Sequence, residues 1–238
     1  MAVKKKDFVE ISFTGKTKDG EIFDSNIKED LKQSGLEIEA KPLIIALGER
    51  MFLESVDDFL IGKEIGQQYE ITLLPEKAFG LRDSKLIKMV PTRSFLDQNL
   101  NPRQGMMLNI DGSIAKVISV SSGRTLVDFN NPLAGKTIEY KIKIVRYIGS
   151  IEEKAKALIQ FFSRQDFPFT IDETQKALTI TLPEGFDKFF ELFKDKFKDL
   201  VGLDLKFNID KNAKIGHVHE DGDHEHLHHD HGNHKHSH

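Results

Sequence analysis

The chain of 238 residues contains no cysteine and no tryptophan, and its first 216 residues contain no histidine. The first absence excludes disulfides, thiolate metal sites and cysteine nucleophiles together. The last excludes an imidazole general base or a Ser-His-Asp triad from that stretch, so chemistry there rests on carboxylates, Lys, Tyr or no proton transfer at all. There is no excess of one charge: 34 Lys and Arg stand against 38 Asp and Glu, a net charge of -4. That balance speaks against the basic surface that nucleic acid requires, and no phosphate-binding glycine loop is found. No apolar run approaches the ~18 residues of a membrane span. The opening MAVKKKDFVEISF has no apolar core of a secretory signal, so a cytoplasmic location is expected.

What is present suffices for a globular core, since 39% of residues are hydrophobic. At roughly 150 residues per domain the length suggests one or two domains, with room for a small third. Phe8 to Thr14 alternates apolar and polar residues as a half-buried strand does, and Asp19-Gly20 is a hairpin signal before Ile22-Phe23. Residues 25 to 40 are polar and read as a loop. Pro42 to Gly48 is rich in β-formers. Leu53, Val56, Phe59 and Leu60 recur at helical spacing up to Gly62, and Tyr69, Ile71 and Leu73 alternate again. From Arg82 to Phe129 short apolar pieces surround two turn signals, Asp111-Gly112 and Ser122-Gly123, in a small β unit. A long alternating strand runs from Ile138 to Ile148.

Beyond Ser150 the pattern changes. Ser150 and Glu153 form a capping box before an amphipathic helix through Ala155, Leu158, Ile159 and Phe162. Strands are expected over 167–171 and 177–182. One helix is expected with Phe186, Phe189, Phe190, Phe193 and Phe197 on a single stripe, then a strand over 203–209. Ten of the 18 Phe lie between Phe161 and Phe207, so this unit has an aromatic core. The stripe reads as packing on its own sheet; the alternative puts Phe190 and Phe193 on a homodimer or client surface. The tail from about Lys211 is of low complexity and too poor in apolar residues to order itself.

Three pieces, in order and correctly spaced, resemble the FKBP family of peptidyl-prolyl isomerases: Phe13-Thr14-Gly15 with Asp19-Gly20-Glu21-Ile22-Phe23-Asp24-Ser25; Pro42 to Gly48 followed by Phe52-Leu53-Glu54-Ser55-Val56; and Pro75-Glu76-Lys77-Ala78-Phe79-Gly80. One branch of that family inserts a domain after the last piece. Asp128-Phe129-Asn130-Asn131-Pro132-Leu133-Ala134-Gly135-Lys136 resembles its re-entry motif, with Asn131 where a His is usual. The histidine-rich tail resembles the SlyD-like members, and the Phe-rich unit that of long archaeal members.

The resemblance implies an apolar pocket that needs no cofactor. In it Phe13 is an aromatic wall where many members have Tyr, and Phe23 packs on the proline ring beside Asp24, the one charged group. Leu43 is a side wall. Phe52 and Leu53 border the groove, with the Leu53 N–H on a substrate carbonyl. Val56 takes the floor position where Trp is common, Phe79 replaces a Tyr, and Tyr140 lines the floor from the last strand. The two departures, Val56 and Phe79, imply retained isomerisation with weaker macrolide binding. In the insert, Met89, Val90, Phe95, Leu96 and Met106 are expected to hold unfolded chains, while Met107 and Leu108 divide evenly between that role and the unit's own core.

The tail places His217, His219, His224, His226, His228, His229, His231, His234, His236 and His238 among acidic residues. Imidazole suits divalent metal, Ni or Zn here, in several exchangeable sites. An expression tag is the bland alternative, against which the irregular, acid-interleaved spacing stands. The expectation is therefore an α+β protein. It has an FKBP-like antiparallel half-barrel on a short helix (1–84 and 130–149), an inserted flap domain (85–129), a C-terminal α-β-β-α-β domain (150–210) and a histidine-rich tail (211–238). Its expected partners are unfolded or partly folded proteins with X-Pro bonds and divalent metal, without nucleic acid or membrane. The rival readings are a non-enzymatic holdase and a nickel or zinc storage or delivery protein.

Overall fold

The structure, a computed structural model, describes residues 2–37, 39–110 and 112–211. The chain divides into two compact units at 154/155, inside a helix.

The first unit is built on one long strand, β1 (Phe8–Thr17), which alternates inward Val9, Ile11, Phe13 and Gly15 with polar outward residues. On one side it pairs antiparallel with β9 (Ile138–Tyr147), which in turn pairs with β4 (Gln68–Leu73). Its other edge is shared. β3 (Leu43–Ala46) takes the first half, Phe8 to Ile11, and β2 (Ile22–Ser25) takes the second, Thr14 to Lys16. Where these two part, side chains replace the ladder. Asn26 Oδ1 accepts the Phe13 N–H at 2.8 Å, and Asn26 Nδ2 donates to Ile11 O at 2.9 Å. The Ser25 hydroxyl donates to Phe13 O at 2.9 Å. Phe13 is thus pinned where this edge of the strand lacks a neighbour, with side chains meeting its N–H and C=O.

The inner face of the sheet closes on α2 (Glu54–Leu60), whose Val56 and Leu60 are fully buried with Ile11, Ile45, Ile142 and Ile144. Residues 25–40, read as a loop, contain a helix, α1 (Lys28–Ser34). Leu31 is its one buried residue, too little apolar content for a helical period to be visible.

Between β4 and β9 the chain makes a separate four-stranded sheet in the order β5 (Ile87–Pro91), β8 (Arg124–Asp128), β7 (Ser113–Ser121), β6 (Met107–Ile110). A short helix, α3 (Thr92–Leu96), follows β5. The core of this part is small: Phe95, Leu108, Ala115, Val117 and Val127. Its two connections to the rest run side by side. Arg82 pairs with Asp128, Nε to Oδ2 at 2.9 Å. Asn130 accepts the Asp83 N–H at 2.8 Å and donates to Asp83 O at 2.9 Å, and Gly135 N–H reaches Gly80 O at 2.8 Å.

The second unit begins in α4 (Ile151–Ser163). The Ser150 hydroxyl accepts the Glu153 N–H at 3.3 Å, which is half of the expected box. The Glu153 carboxylate turns instead to Arg146, at 2.5 and 3.1 Å. Three strands follow, β10 (Phe169–Asp172), β11 (Ala177–Leu182) and β12 (Asp204–Ile209). β11 and β12 are parallel, so a crossover must join them. It is not the single helix expected over 186–197 but two, α5 (Phe186–Glu191) and α6 (Lys194–Val201), with Phe193 between them out of helical geometry at φ -110°, ψ 4°. The break sets Phe193 flat on Phe162, centroids 4.0 Å apart and planes at 20°, while Phe190 and Phe197 are wholly buried. Phe190 is therefore core, not a docking surface; Leu192, 77% exposed, and Phe189, 36%, are apolar side chains that face water.

Candidate functional site

Gly15 organises the site. It lies on the inward face of β1, directly across from Tyr140 on β9 and Asp24 on β2. Directly paired residues share a face, so Tyr140 and Asp24 flank it on the same side of the sheet. A Cβ on Gly15 would stand 2.7 Å from Tyr140 Cε1 and 2.8 Å from Phe23 Cζ. Only hydrogen at this position lets both rings lie down on the strand. Phe13-Thr14-Gly15 was legible as a motif, but not the reason for its glycine; an inward glycine inside an alternating strand is the signal that identifies such a close approach.

Five rings gather over that floor. Phe13 meets Phe52 edge-on at 4.8 Å, and Phe52 meets Tyr140 at 5.4 Å. Tyr140 meets Phe23 at 5.8 Å, and Phe23 meets Phe79 at 5.7 Å with planes at 89°. Each strand or loop contributes one: Phe13 from β1, Phe23 from β2, Phe52 from the turn before α2, Phe79 after β4 and Tyr140 from β9. Phe13 and Tyr140 are buried, whereas Phe23, Phe52, Phe79, Leu43 and Leu53 are half-buried and packed against the core at its margin. Val56, expected at the floor, is 0% exposed and belongs to the same core cluster as Phe13 and Tyr140.

Asp24 is the charged group at this box. Burial pushes its carboxyl above the usual carboxylate range, and the Ser25 N–H only partly offsets that. Tyr140 is shifted in the same direction, by burial and by the negative field of Asp24, so its phenol keeps its proton throughout the physiological range.

A second carboxylate, not anticipated, holds the turn that presents Phe52 and Leu53. Asp57 on α2 accepts the Gly48 N–H at 2.8 Å and the Arg50 N–H at 2.9 Å. Burial, with Asp58 and Glu49 adding to it, raises its pKa despite these donors. In sequence Asp57-Asp58 looks like a solvated pair, and nothing in the spacing distinguishes the buried member.

The residues expected to meet clients divide. Met89 is 60% exposed, Leu96 52% and Met106 37%, and Val90 is half-buried. Phe95, expected on the surface, is instead buried in the insert's own core, as is Leu108. Ile114, 64% exposed on β7, is an outward apolar residue that the sequence reading passed over. The ten histidines of the tail lie outside the described residues. Among the described residues no group of three or more His, Asp or Glu is placed to hold a metal ion, and no helix is long and apolar enough to cross a membrane.

Residues 1–96 match the family profile of FKBP-type peptidyl-prolyl cis-trans isomerases, and residues 88–133 match the profile described as FKBP26, IF domain. Over 145 residues the chain is 34% identical to the short-type peptidyl-prolyl cis-trans isomerase of Methanocaldococcus jannaschii, spanning 60% of this chain and 92% of that protein. It is 30% identical over 155 residues to the FKBP-type 16 kDa peptidyl-prolyl cis-trans isomerase of Escherichia coli K12, spanning 63% and 97%. It is 27% identical over 146 residues to the FKBP-type isomerase SlyD of Aeromonas hydrophila, spanning 60% and 64%.

Proposed function

The chain belongs to the FKBP-type peptidyl-prolyl cis-trans isomerases, and from that premise we propose a division of labour within it. The five-ring box beside Asp24 turns X-Pro bonds, the exposed apolar residues of 85–129 hold unfolded chains, and the histidine tail binds divalent metal.

The chemistry asks little of the protein's functional groups. Rotation about X-Pro is slow because it breaks amide conjugation, at a barrier of ~18–20 kcal/mol. Twisting withdraws charge from the carbonyl oxygen and localises a lone pair on nitrogen. A wall of aromatic carbon, which solvates the polar planar amide poorly, therefore favours the twisted one. Every ~1.4 kcal/mol of such preference accelerates rotation tenfold. The proline ring lies against Phe23 in this reading, with Phe13, Phe52 and Tyr140 beneath and Phe79 at the rim. Asp24 sets the field at the reacting carbonyl. No cofactor takes part.

The observation that carries the reading is a chain of five rings from five separate segments in mutual edge or tilted contact, two of them, Tyr140 and Phe23, lying on Gly15, with a half-buried carboxylate beside them. Packing alone would bury that carboxylate's neighbours without leaving Phe23, Phe52 and Phe79 open. Met89, Leu96 and Ile114 standing in water support the client-holding role, because a folded chain gains nothing from them there. Tethering raises the local concentration of bound chain at the pocket. Leu192 and Phe189 would be the contact for a second copy, which sedimentation of the full chain tests.

The deciding experiment is proline-limited refolding of a model protein in the presence of a chelator, with the intact chain and with Asp24→Ala. Acceleration that falls at least severalfold in the variant supports the pocket and makes metal dispensable. If the intact chain gives no acceleration, the box is only core and the insert alone acts, as a holdase.

A further inference from the structure

Of the five rings in the box, four are Phe and one is Tyr. Tyr140 is the central one, in edge or tilted contact with Phe13, Phe23 and Phe52 at 6.2, 5.8 and 5.4 Å. Its hydroxyl is the one hydrogen-bonding group on any of these rings. Its proton is not lost to a base: Asp24, two strand spacings away across Gly15 or roughly 10 Å between backbones, opposes phenolate formation, and no hydrogen bond contributes to the shift. The group is therefore a donor among rings that otherwise present only carbon, with the Asp24 carboxylate beside them.

Resting on the isomerase pocket described above, we infer that the Tyr140 hydroxyl anchors the bound peptide by donating to a backbone carbonyl flanking the reacting bond. The reacting carbonyl itself is excluded. Its oxygen carries most charge in the planar amide, so a donor there would hold the ground state and slow rotation. A flanking carbonyl does not change as the amide twists. The bond then favours ground and transition states alike, which lowers KM and leaves kcat alone. Tyr140 is in these terms a substrate-anchoring residue, distinct from Asp24, whose field acts on the reacting group.

The test is Tyr140→Phe in the full chain, with isomerisation of a short X-Pro peptide followed over a range of concentrations. Loss of one net hydrogen bond raises KM about 2- to 10-fold, with kcat unchanged within about twofold. A structural role would lower kcat and thermal stability together. In parallel, the unaltered chain carrying tyrosine labelled with carbon-13 at Cζ is titrated with the same peptide by NMR. The resonance of Tyr140 moves, and those of Tyr69 and Tyr147 stay. An unchanged KM, a loss confined to kcat, or a Tyr140 resonance that ignores the peptide each overturns the assignment. If the unaltered chain binds the peptide but does not turn it over, the isomerase reading of the pocket fails instead, and the Tyr140 resonance still decides whether the hydroxyl meets the peptide.

Discussion

Gly15 and Tyr140 face each other across two strands, and the Cβ that Gly15 lacks is the space the Tyr140 ring occupies, 2.7 Å from its Cε1. Gly15→Ala must therefore push Tyr140, Phe23 or the strand itself. Overpacking of this kind costs about 1–3 kcal/mol. Part of it falls on the site, because the displaced rings are its floor. Turnover of a short X-Pro peptide is expected to drop about tenfold or more, the rate equivalent of ~1.4 kcal/mol, with a lower melting temperature. Full activity in Gly15→Ala would show that the floor is not held at this spacing.

Asp24 sets function against stability. Burial raises its pKa in the folded protein above the ordinary value of 3.8. The folded state thus holds the proton more tightly than the unfolded chain. The associated stabilisation is complete below the unfolded pKa and is lost as pH rises through the folded one. At neutral pH the ionised carboxylate is a net strain on the fold, so Asp24→Asn should raise the melting temperature at pH 7 and lose that advantage on acidification below about pH 4. Isomerisation should move the other way: reduced in Asp24→Asn, and in the unaltered enzyme falling as pH drops through a midpoint above 3.8. Melting curves and peptide turnover between pH 3 and 8 would check both signs.

Asn130 ties the two connections of the insert together through Asp83 and Asp128, its Nδ2 lying 2.6 Å from Asp128 Oδ1. Those bonds also favour the ionised Asp128: burial pushes that carboxyl up, but Asn130 and Arg82 outweigh it and hold it below the usual range. Asn130→Ala leaves the Asp83 N–H without its acceptor, at a cost of about 1–3 kcal/mol where such a group stays dry. Amide exchange at Asp83 and Phe129 should accelerate. Short-peptide turnover should hold, while refolding of a whole protein slows. An equal loss on both substrates would mean that the joint supports the pocket rather than the delivery of clients to it.

Removal of residues 212–238 should abolish binding of Ni or Zn in equilibrium dialysis, because all ten histidines lie there. Proline-limited refolding in chelator should not change. A refolding rate that falls with the tail would link metal or tail to clients and argue against independent functions.

The outline of the main sheet could be read directly, because half-buried strands write their burial into alternate side chains, as Val9, Ile11 and Phe13 do. Shorter elements carry no such record. Leu31 alone cannot show a period in α1, and the Phe stripe of 186–197 is compatible with one helix or two. The ordered motif pieces and the last strand named the five rings, and the structure brings those rings into contact. Gly15's role was not legible, since it depends on which residues meet across distant strands, and neither was Asp57's turn, since no spacing tells which of two adjacent carboxylates folds back on Gly48 and Arg50. The insert shows the same limit. Its apolar residues were evident, but whether Ile114 faces outward is set by register, with Leu108 paired to Ala115 on the inner face and Ile114 one residue out of phase, and which of Phe95 and Leu96 is buried is set by the packing of the short helix α3.

The neck at Gly80 and Gly135, where an N–H of one connection meets a carbonyl of the other at 2.8 Å, has an engineering consequence. Two chain ends that already touch can be rejoined by a short turn, and what lies beyond them, apart from Leu133, which packs on the main core, would be exchangeable as a cassette. The isomerase body would close over the cut with its strand pairings intact, since β4 and β9 are paired through Leu73 and Ile138 independently of what lies beyond. The same socket would accept a foreign domain with adjacent termini. One catalytic pocket could in this way be given different client preferences by exchanging the piece grafted above it.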